Sequence, residues 1–235
     1  AHPYEAVKTN IIGAYNVVTA AVARNVDRVI AVSTDKAVKP VSAMGMTKGL
    51  QEKLILSDEI TKDKTIFCCV RYGNVLGSRG SVIPLWDKRL EQNKPLPITH
   101  HDMTRFMLTL SDAIDLVFYS LKNAKGGEIF VKKAYSTKII DLAQAYAELK
   151  TGKKNYPLEY IGIRAGEKIH EILVSEEEMR YAIEKKDHFI ITREPEFDKS
   201  FVNKTTKFIE YDSGMAPHLD INQLKLLMKK LKWIT

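Results

Sequence analysis

The chain has 235 residues with a formal net charge of +7, and 45% of its residues are hydrophobic. This composition is typical of a globular protein with one large or two modest domains. No apolar run approaches the roughly 18 residues of a membrane span, and the polar opening A-H-P-Y-E predicts no secretory signal. The positive charge fits a lysine-rich surface or a groove for an anionic substrate. Nucleic-acid binding is not predicted, because no basic motif with interleaved aromatic residues occurs.

The first predicted element is a helix from His2 to Val26, whose apolar residues recur at helical spacing. It contains the pattern N-x-x-G-x-x-N, which begins at Asn10 and places Gly13 inside the helix. A glycine inside a helix costs about 1 kcal/mol relative to alanine. We therefore expect Gly13 to pack closely against a neighbouring element.

The second element is a strand, Val29–Val32, that ends in a cluster of polar residues. It is apolar and rich in β-branched residues, which is typical of a parallel strand covered on both faces. Ser33, Thr34, Asp35 and Lys36 follow it directly. In open α/β sheets, ligands bind outside the carboxyl ends of the strands. These four side chains are therefore placed for chemistry.

A loop with a proline at position 40 leads into the next predicted helix, which begins near Ser42 and runs to about Ile60. Met44 and Lys48 are four residues apart in it. Residues at this spacing lie on one face of a helix, so both side chains belong to the same surface.

A second strand, Thr65–Tyr72, contains the adjacent cysteines Cys68 and Cys69. Neighbouring strand residues point to opposite faces, so we interpret both thiols as core residues of a protein in the reducing cytoplasm. A glycine-rich turn begins at Gly73, again at the carboxyl end of a strand. Glycines let the backbone approach a ligand closely, and a helix that opens in Ser81–Pro84 offers N–H groups that suit phosphate.

The rest of the chain alternates short strands and helices. Strands are predicted at 96–99, 104–110, 126–131, 158–163 and 188–192, and helices at 111–122, after Ser136 and at 220–232. We expect Ser111 and Ser136 to cap their helices, and Ser175–Glu178 to form a capping box. The last helix is basic and amphipathic, which favours packing on its own domain or on another subunit over membrane contact.

These patterns together resemble the extended short-chain dehydrogenases/reductases. In that family a serine or threonine ends a strand and a Tyr-x-x-x-Lys pattern follows on a helix; here Met44 stands in the tyrosine position before Lys48. The T-D-K segment, residues 34–36, is similar to the one in the branch of UDP-N-acetylglucosamine 4,6-dehydratases. Three further runs resemble that branch, namely R-Y-G-N-V-L-G-S-R-G-S-V-I-P, M-T-R-F and R-A-G-E-K-I-H-E. The last run has Ala165 where the family has proline. The Met-x-x-x-Lys version resembles the 5-inverting enzymes of capsule and O-antigen synthesis.

The resemblance implies an α/β fold, namely the C-terminal part of a Rossmann-type parallel sheet with a smaller α/β substrate-binding domain. We expect residues 1–80 to form the C-terminal half of an NADP-binding domain. Residues 81–235 would form a UDP-sugar-binding domain, with the segment 104–135 returning to the Rossmann sheet. No G-x-x-G-x-x-G or G-x-G-x-x-G turn precedes the catalytic segment, so we expect the first βαβ units to be absent.

The resemblance also implies roles for individual residues. Thr34 would bind the C4 oxygen of the sugar, Asp35 would protonate the leaving C6 hydroxyl, and Lys36 would take the C5 proton. Met44 cannot take a proton, so the route of the C4 hydroxyl proton stays open, to Lys48 through water or to Lys36. The cofactor, NADP with NAD as the alternative, would contact Lys48, Tyr72, Gly73 and Val75, and the UDP-sugar would contact Asn74, Ser81, Val82, Arg105, Arg164 and Glu167. Asn10 would support the lysine.

The predicted function is therefore that of a cytoplasmic, homo-oligomeric, NADP-dependent UDP-N-acetylglucosamine 4,6-dehydratase. Two alternatives stay open. A UDP-hexose 4-epimerase shares cofactor and substrate class but needs no acid/base pair for elimination across C5 and C6, and a catalytically inactive fragment would retain only UDP-sugar binding. No metal site is predicted, because the adjacent residues His170 and Glu171 do not face each other and no third ligand stands at a suitable spacing.

Overall fold

The computed structural model describes residues 2–57, 59, 64–77, 82–192 and 208–231. Along this part of the chain the helices and strands are, in order, α1 (Pro3–Val7), α2 (Gly13–Ala23), β1 (Arg28–Thr34), α3 (Ala43–Ile55), β2 (Ile66–Tyr72), α4 (Ile83–Glu91), β3 (Leu96–Ile98), β4 (Thr104–Met107), α5 (Leu110–Asn123), β5 (Ile129–Lys132), β6 (Tyr135–Lys138), α6 (Ile139–Thr151), β7 (Leu158–Tyr160), β8 (Ile172–Val174), α7 (Glu176–Met179), β9 (Ala182–Glu184), β10 (His188–Ile191), β11 (Tyr211–Asp212) and α8 (Ile221–Lys230). A π-helical turn, Lys8–Ile12, joins α1 to α2, and a 3-10 turn, Asp35–Ala37, follows β1.

The chain divides into two compact units. Unit 1 comprises residues 1–73, 110–133 and 172–212, and unit 2 comprises residues 74–109, 134–171 and 213–235. The last segment of unit 1 differs from the sequence prediction, which assigned residues 172–212 to the sugar-binding domain. What each unit binds stays a prediction.

Unit 1 is built on a five-stranded sheet in the order β1-β2-β5-β10-β9. The first three of these strands are parallel, and β10 and β9 continue the sheet in antiparallel pairing. Thr34 pairs with Tyr72 in the register of β1 and β2, so the carboxyl ends of the two strands lie side by side. This mixed α/β architecture with parallel strands confirms the predicted fold class.

The core of unit 1 contains both cysteines. Cys68 packs with apolar residues of the sheet and of α5, among them Phe130 and Leu116. Cys68 and Cys69 are free, buried thiols, as the sequence predicted. Burial raises the pKa of Cys68 to about 12 and that of Cys69 well above its usual value, so both thiols stay protonated at neutral pH.

A buried charge cluster ties β2 to α3 and to α7. Arg71, on β2, is 1% exposed and donates hydrogen bonds to both carboxylate oxygens of Glu52 on α3, at 3.0 and 2.6 Å. It also donates to the Leu173 carbonyl at 2.8 Å and to both carboxylate oxygens of Glu178 at 2.9 Å. Glu178 in turn completes the predicted capping box with Ser175. Two bidentate contacts therefore fix one guanidinium in one geometry.

Unit 2 has two small sheets and a core formed largely by helices. β3 pairs parallel with β7, and β4 pairs antiparallel with β6. The core contains Trp86, Leu96 and Tyr146, together with Leu224 and Met228 of α8. The amphipathic helix α8 thus packs on its own unit, as its pattern favoured. Within the described ranges, no helix combines the length and apolar character needed to cross a membrane.

Three local predictions were wrong. Ser136 does not cap a helix; it lies in β6, and α6 begins at Ile139 without a side-chain cap. Pairing with β4 takes precedence there over the local preference of serine for caps. Ser111 lies inside the first turn of α5, which begins at Leu110. Among the described residues Gly13 has no close neighbour from another element, since an added Cβ would meet only the Lys8 carbonyl oxygen there, at 3.4 Å.

Replacing Arg71 by methionine leaves two carboxylates without their partner. Removing one member of a buried ion pair costs about 3–5 kcal/mol, so we expect the free energy of unfolding in urea to fall by at least about 3 kcal/mol. The matched control is Arg89→Met, because Arg89 pairs at 3.1 Å with the exposed Glu159, and an exposed pair contributes about 0–1 kcal/mol. Equal losses in the two variants would contradict the structural role of the cluster.

Glu178 makes this cluster sensitive to acid. Burial alone would raise the pKa of its carboxyl, but the charge and hydrogen bonds of Arg71 outweigh burial and hold the pKa below its usual value of 4.5. Its contribution to stability is therefore complete above the unfolded pKa and is lost as the pH falls through the folded pKa. We expect the unfolding free energy of the wild type to fall more steeply between about pH 5 and 3 than that of Glu178→Gln. Parallel pH profiles would show that Glu178 is not the responsible group.

Candidate active site

The polar cluster at the end of β1 is built by three consecutive residues. Thr34 caps the 3-10 turn, because its hydroxyl oxygen accepts a hydrogen bond from the Lys36 N–H at 3.4 Å. The same hydroxyl donates to Oδ1 of Asp35 at 2.8 Å. The Lys36 ammonium donates to the same Oδ1 at 2.9 Å. The turn thus brings together the acid and the base that the sequence singled out.

Asp35 is fully buried, and its second carboxylate oxygen, Oδ2, has no hydrogen-bond partner among the residues that the structure describes. The Ser33 hydroxyl, two residues earlier, is also buried without a partner in the same part of the chain. A buried polar atom without a partner costs about 1–3 kcal/mol. Because Oδ1 already accepts from Thr34 and Lys36, Oδ2 is the oxygen left for a ligand.

Helix α3 approaches the 3-10 turn Asp35–Ala37 closely, because two of its glycines face that turn. A Cβ on Gly45 would lie 2.2 Å from the Lys36 carbonyl oxygen, and one on Gly49 would lie 3.0 Å from the Ala37 carbonyl oxygen. The helix begins after Ser42, whose hydroxyl accepts from the Gly45 N–H at 3.2 Å. A larger residue at position 45 would have to push the helix away from the turn.

This approach places Lys48 against the end of β1. Its ammonium donates to the Val32 carbonyl oxygen at 2.6 Å and to the side-chain carbonyl oxygen of Gln51. Lys48 is half-buried, and this burial lowers the pKa of its ammonium. Met44, one turn earlier, is 42% exposed, so its thioether offers contact surface and no proton transfer.

Asn10 and Tyr72 approach this centre from the π-helical turn and from β2. The Asn10 amide donates to the Thr47 hydroxyl at 2.9 Å, so it contacts the residue before Lys48 and not the lysine. Tyr72 is half-buried at the end of β2, and burial raises the pKa of its phenol. Gly73 follows it and is buried.

In unit 2, Arg105 on β4 is bound by the segment that follows Glu167. The Nη1 of Arg105 donates hydrogen bonds to the carbonyl oxygen of Thr104, the preceding residue, at 2.7 Å and to the carbonyl oxygen of Ile169 at 3.2 Å. Its Nε lies 3.7 Å from a carboxylate oxygen of Glu171. A guanidinium carries five N–H donors, so these contacts leave donors for a phosphate group.

Arg164 and Glu167 form one turn on the surface of unit 2. The Glu167 N–H donates to the Arg164 carbonyl at 3.1 Å, and the Arg164 N–H donates to the Glu167 carboxylate at 3.2 Å. Gly166 has a φ of +84°, which lies in the left-handed region that glycine adopts without strain. Ala165, in the place of the family's proline, is compatible with this turn.

The remaining predicted substrate residues come between β2 and α4 in the sequence. The chain after β2 is held by Leu108, whose N–H donates to the Asn74 carbonyl at 3.1 Å and whose backbone forms a parallel bridge with Val75. Val82 stands immediately before α4. Ser81 lies outside the described residues. The roles of all these residues stay predictions.

Sequence reasoning missed a buried hydroxyl–imidazole chain in unit 2. The Thr104 hydroxyl lies 2.8 Å from Nδ1 of His170 and 2.6 Å from the Ser213 hydroxyl. The Glu171 N–H donates to the same Ser213 hydroxyl at 2.9 Å. The chain fixes β4, which carries Arg105, to the segment 164–171. No sequence signal could have joined Thr104 to Ser213, which are 109 residues apart.

Comparison with solved structures identifies a Rossmann-type fold shared with nucleotide-sugar epimerases and dehydratases. Pen from Bacillus thuringiensis superimposes with a TM-score of 0.82 at 38% identity, covering 97% of this chain and 70% of that chain. UDP-glucuronic acid 4-epimerase from Bacillus cereus, solved with UDP-glucuronic acid and NAD, gives 0.60 at 22% identity, covering 69% and 57%. The dTDP-glucose 4,6-dehydratase DesIV from Streptomyces venezuelae, solved with NAD, gives 0.60 at 19% identity, covering 69% and 56%. At these identities the last two show the fold alone.

The chain belongs to the polysaccharide biosynthesis protein family, whose profile matches residues 1–193. A Rickettsia bellii protein named UDP-glucose 4-epimerase is 42% identical over 241 residues, covering 99% of this chain and 70% of the relative. A Rickettsia felis protein of the same name is 41% identical, with the same coverage. The predicted relationship to nucleotide-sugar epimerases and dehydratases is confirmed at this level, whereas these relatives do not carry the narrower name of a UDP-N-acetylglucosamine 4,6-dehydratase.

The close approach of α3 makes two glycine substitutions differ sharply. Gly45→Ala puts a Cβ 2.2 Å from a carbonyl oxygen, so we expect it to lower the free energy of unfolding in urea by about 2 kcal/mol or more. Gly13→Ala meets only an ordinary contact at 3.4 Å, so the helix propensity of alanine should raise stability by up to about 1 kcal/mol. A stabilising Gly45→Ala would contradict the geometry of the T-D-K segment.

Proposed function

We propose that this chain carries the acid/base centre of a UDP-N-acetylglucosamine 4,6-dehydratase that inverts C5. The observation that carries the proposal is the Asp35–Lys36 pair, an acid and a base in contact at 2.9 Å at the carboxyl end of a parallel strand. Membership of the polysaccharide biosynthesis protein family supports it. The product would be a UDP-4-keto-6-deoxy sugar for a surface polysaccharide.

The pair can supply both proton transfers of the elimination without outside protons. A charged pair (Lys36 ammonium, Asp35 carboxylate) and a neutral pair (Lys36 amine, Asp35 carboxylic acid) hold the same number of protons and differ by one transfer across the 2.9 Å contact. In the neutral pair, Lys36 is a base for the C5 proton and Asp35 is an acid for the C6 hydroxyl. After water has left, both groups are charged again.

Oxidation at C4 comes before the elimination, so the pair must begin each cycle one proton short, as the Lys36 amine and the Asp35 carboxylate, and it becomes the neutral pair when Asp35 receives a proton. When C5 is protonated again, Lys36 gives back the proton that it took, whereas the proton of Asp35 has left with water. Oxidation at C4 releases one proton from the hydroxyl, so the count closes if that proton reaches Asp35. Thr34 is the relay we propose, because its hydroxyl already donates to Asp35 at 2.8 Å. The Thr34 hydroxyl would accept the proton from the C4 hydroxyl while it passes its own proton to the Asp35 carboxylate. Met44 then has no part in proton transfer.

We propose NADP as the cofactor, as the resemblance to the dehydratases implies. NAD is the alternative, and two proteins of related fold were solved with NAD. When bound, such a cofactor would supply the hydride chemistry at C4 and C6. Lys48, Tyr72 and Gly73 would hold its nicotinamide ribose, together with Val75. They fit such a group, because a half-buried ammonium and a buried glycine lie at the ends of β1 and β2.

For the substrate, we propose that Arg105 and Arg164 bind the diphosphate, since a guanidinium fork matches phosphate oxygens. Asn74, Ser81, Val82 and Glu167 would hold the sugar and uridine parts.

We also propose a cytoplasmic homo-oligomer. Support for the oligomer comes from apolar side chains that are each more than half exposed on α2 and α3, namely Tyr15, Val17, Met46 and Leu50. The buried free thiols support the cytoplasm.

A UDP-hexose 4-epimerase is the second candidate, because the Rickettsia relatives carry the name UDP-glucose 4-epimerase. Such an enzyme moves a hydride and a proton at C4 alone, so it needs no base at C5. In an epimerase the Asp35 carboxylate would have a structural role, and its complete burial is compatible with that role.

Proton NMR in D₂O separates these candidates. We expect this chain with UDP-N-acetylglucosamine and NADP⁺ to form a 6-deoxy-4-keto product with deuterium at C5, and the C5 coupling to report inversion. Lys36→Ala should abolish the entry of deuterium at C5, whereas Lys53→Ala, at an exposed position on α3, should not change it.

Three results would contradict the proposal. Undiminished deuterium entry in Lys36→Ala would remove that lysine as the base. A 4-epimer that keeps its C5 proton would establish the epimerase. Binding of the UDP-sugar without turnover, with either NADP⁺ or NAD⁺, would identify a catalytically inactive chain that retains the substrate site.

A further inference from the structure

We infer that Gln51 is a positioning residue for Lys48, holding its ammonium at the carboxyl end of β1 in the orientation that a bound ligand needs. The inference rests on the proposed function in one respect, which is that the ligand is the nicotinamide ribose of a dinucleotide. The contact between Gln51 and Lys48 lies within this chain, so it can be tested without turnover of a substrate.

The geometry fixes the ammonium from two sides. Residues three apart on a helix are neighbours, and the side-chain carbonyl oxygen of Gln51 accepts a hydrogen bond from the ammonium of Lys48. The carbonyl oxygen of Val32, on β1, accepts a second one at 2.6 Å. An ammonium has three N–H donors. With two of them bound to acceptors on α3 and β1, the direction of the third is set.

The other polar groups near Lys48 cannot replace Gln51. Both carboxylate oxygens of Glu52, on α3, accept hydrogen bonds from Arg71. The thiol of Cys69, on β2, stays protonated because burial raises its pKa. These are the titratable groups that act on Lys48, one on its own helix and one on β2. Since the lysine stem is long and flexible, loss of the Gln51 acceptor would leave the ammonium held by one carbonyl only.

Two substitutions at this position should act in opposite directions. Gln51→Glu replaces the amide by a carboxylate, and an opposite charge within about 4–6 Å favours the charged form, so the titration midpoint of Lys48 should rise by about one pH unit or more. Gln51→Leu removes the acceptor, so the midpoint should fall and the affinity for NADPH should weaken by about tenfold. The matched control is Lys53→Gln, which lowers the net charge by the same one unit at an exposed position on the same helix. Lys53 is five residues from Lys48, outside the three- and four-residue spacings at which helix side chains meet, so this control should leave both quantities near those of the wild type.

The midpoint is measured by competitive acetylation of Lys48 over a range of pH, quantified by mass spectrometry. NADPH affinity is measured on the same proteins by fluorescence titration. A purely structural role for Gln51 would lower stability in both variants without moving the Lys48 midpoint in opposite directions. Identical midpoints in Gln51→Glu, Gln51→Leu and the wild type overturn the inference.

The two measurements also separate this inference from the proposed function. If the midpoints move as expected while the wild type binds neither NADPH nor NADH, Gln51 positions Lys48 and the proposed dehydratase function fails for this chain. If the wild type binds NADPH and turns over while the midpoints stay together, the proposed function holds and the positioning role is wrong.

Discussion

The buried guanidinium of Arg71 holds α3, the helix that carries Lys48, against the sheet. Glu52, one turn after Lys48 on the same helix, accepts both of its hydrogen bonds from Arg71. Arg71 directly precedes Tyr72 on β2. A buried ion pair is seldom more stable than well-packed apolar residues, so the benefit of this one is orientation. It sets the distance between the helix that carries the lysine and the strand end beside it.

The same helix is fixed at its beginning by backbone contact, not by charge. Gly45 allows the first turn to rest on the carbonyl oxygen of Lys36, and Asn10 reaches Thr47 from the π-helical turn. One end of α3 therefore determines where the T-D-K turn lies, and the other end is anchored through Glu52. Lys48 stands between these two fixed points. Its bonds to β1 and to its own helix can then place a cation at the strand end with little freedom.

Local patterns in the sequence were enough to predict the strand before Thr34, the polar cluster after it and the capping box at Ser175, because each depends on neighbours within a few residues. The contacts that hold them were not predictable in the same way. Arg71 meets partners that are 19 and 107 residues away, and nothing in a strand-like run distinguishes a buried arginine from a surface one. Gly13 and Gly45 both lie in helices, yet an added Cβ would make an ordinary contact with a carbonyl oxygen at the first, at 3.4 Å, and a clash at the second, at 2.2 Å. Helix propensity predicts the cost of such a glycine, but it does not predict which atoms lie against it.

The two candidate reactions place different demands on Asp35 and on its second oxygen, Oδ2. A structural carboxylate would be expected to use both oxygens, since each buried acceptor without a partner costs about 1–3 kcal/mol. Oδ1 of Asp35 is shared by Thr34 and Lys36, whereas Oδ2 is buried without a partner in the described part of the chain. An epimerase gains nothing from this cost, because its chemistry stays at C4. A dehydratase needs this carboxyl to meet the sugar as well as Thr34 and Lys36, and Oδ2 is the oxygen that is not already bonded to those two residues. On the proposal of elimination, Oδ2 is therefore the oxygen of Asp35 left to meet the sugar.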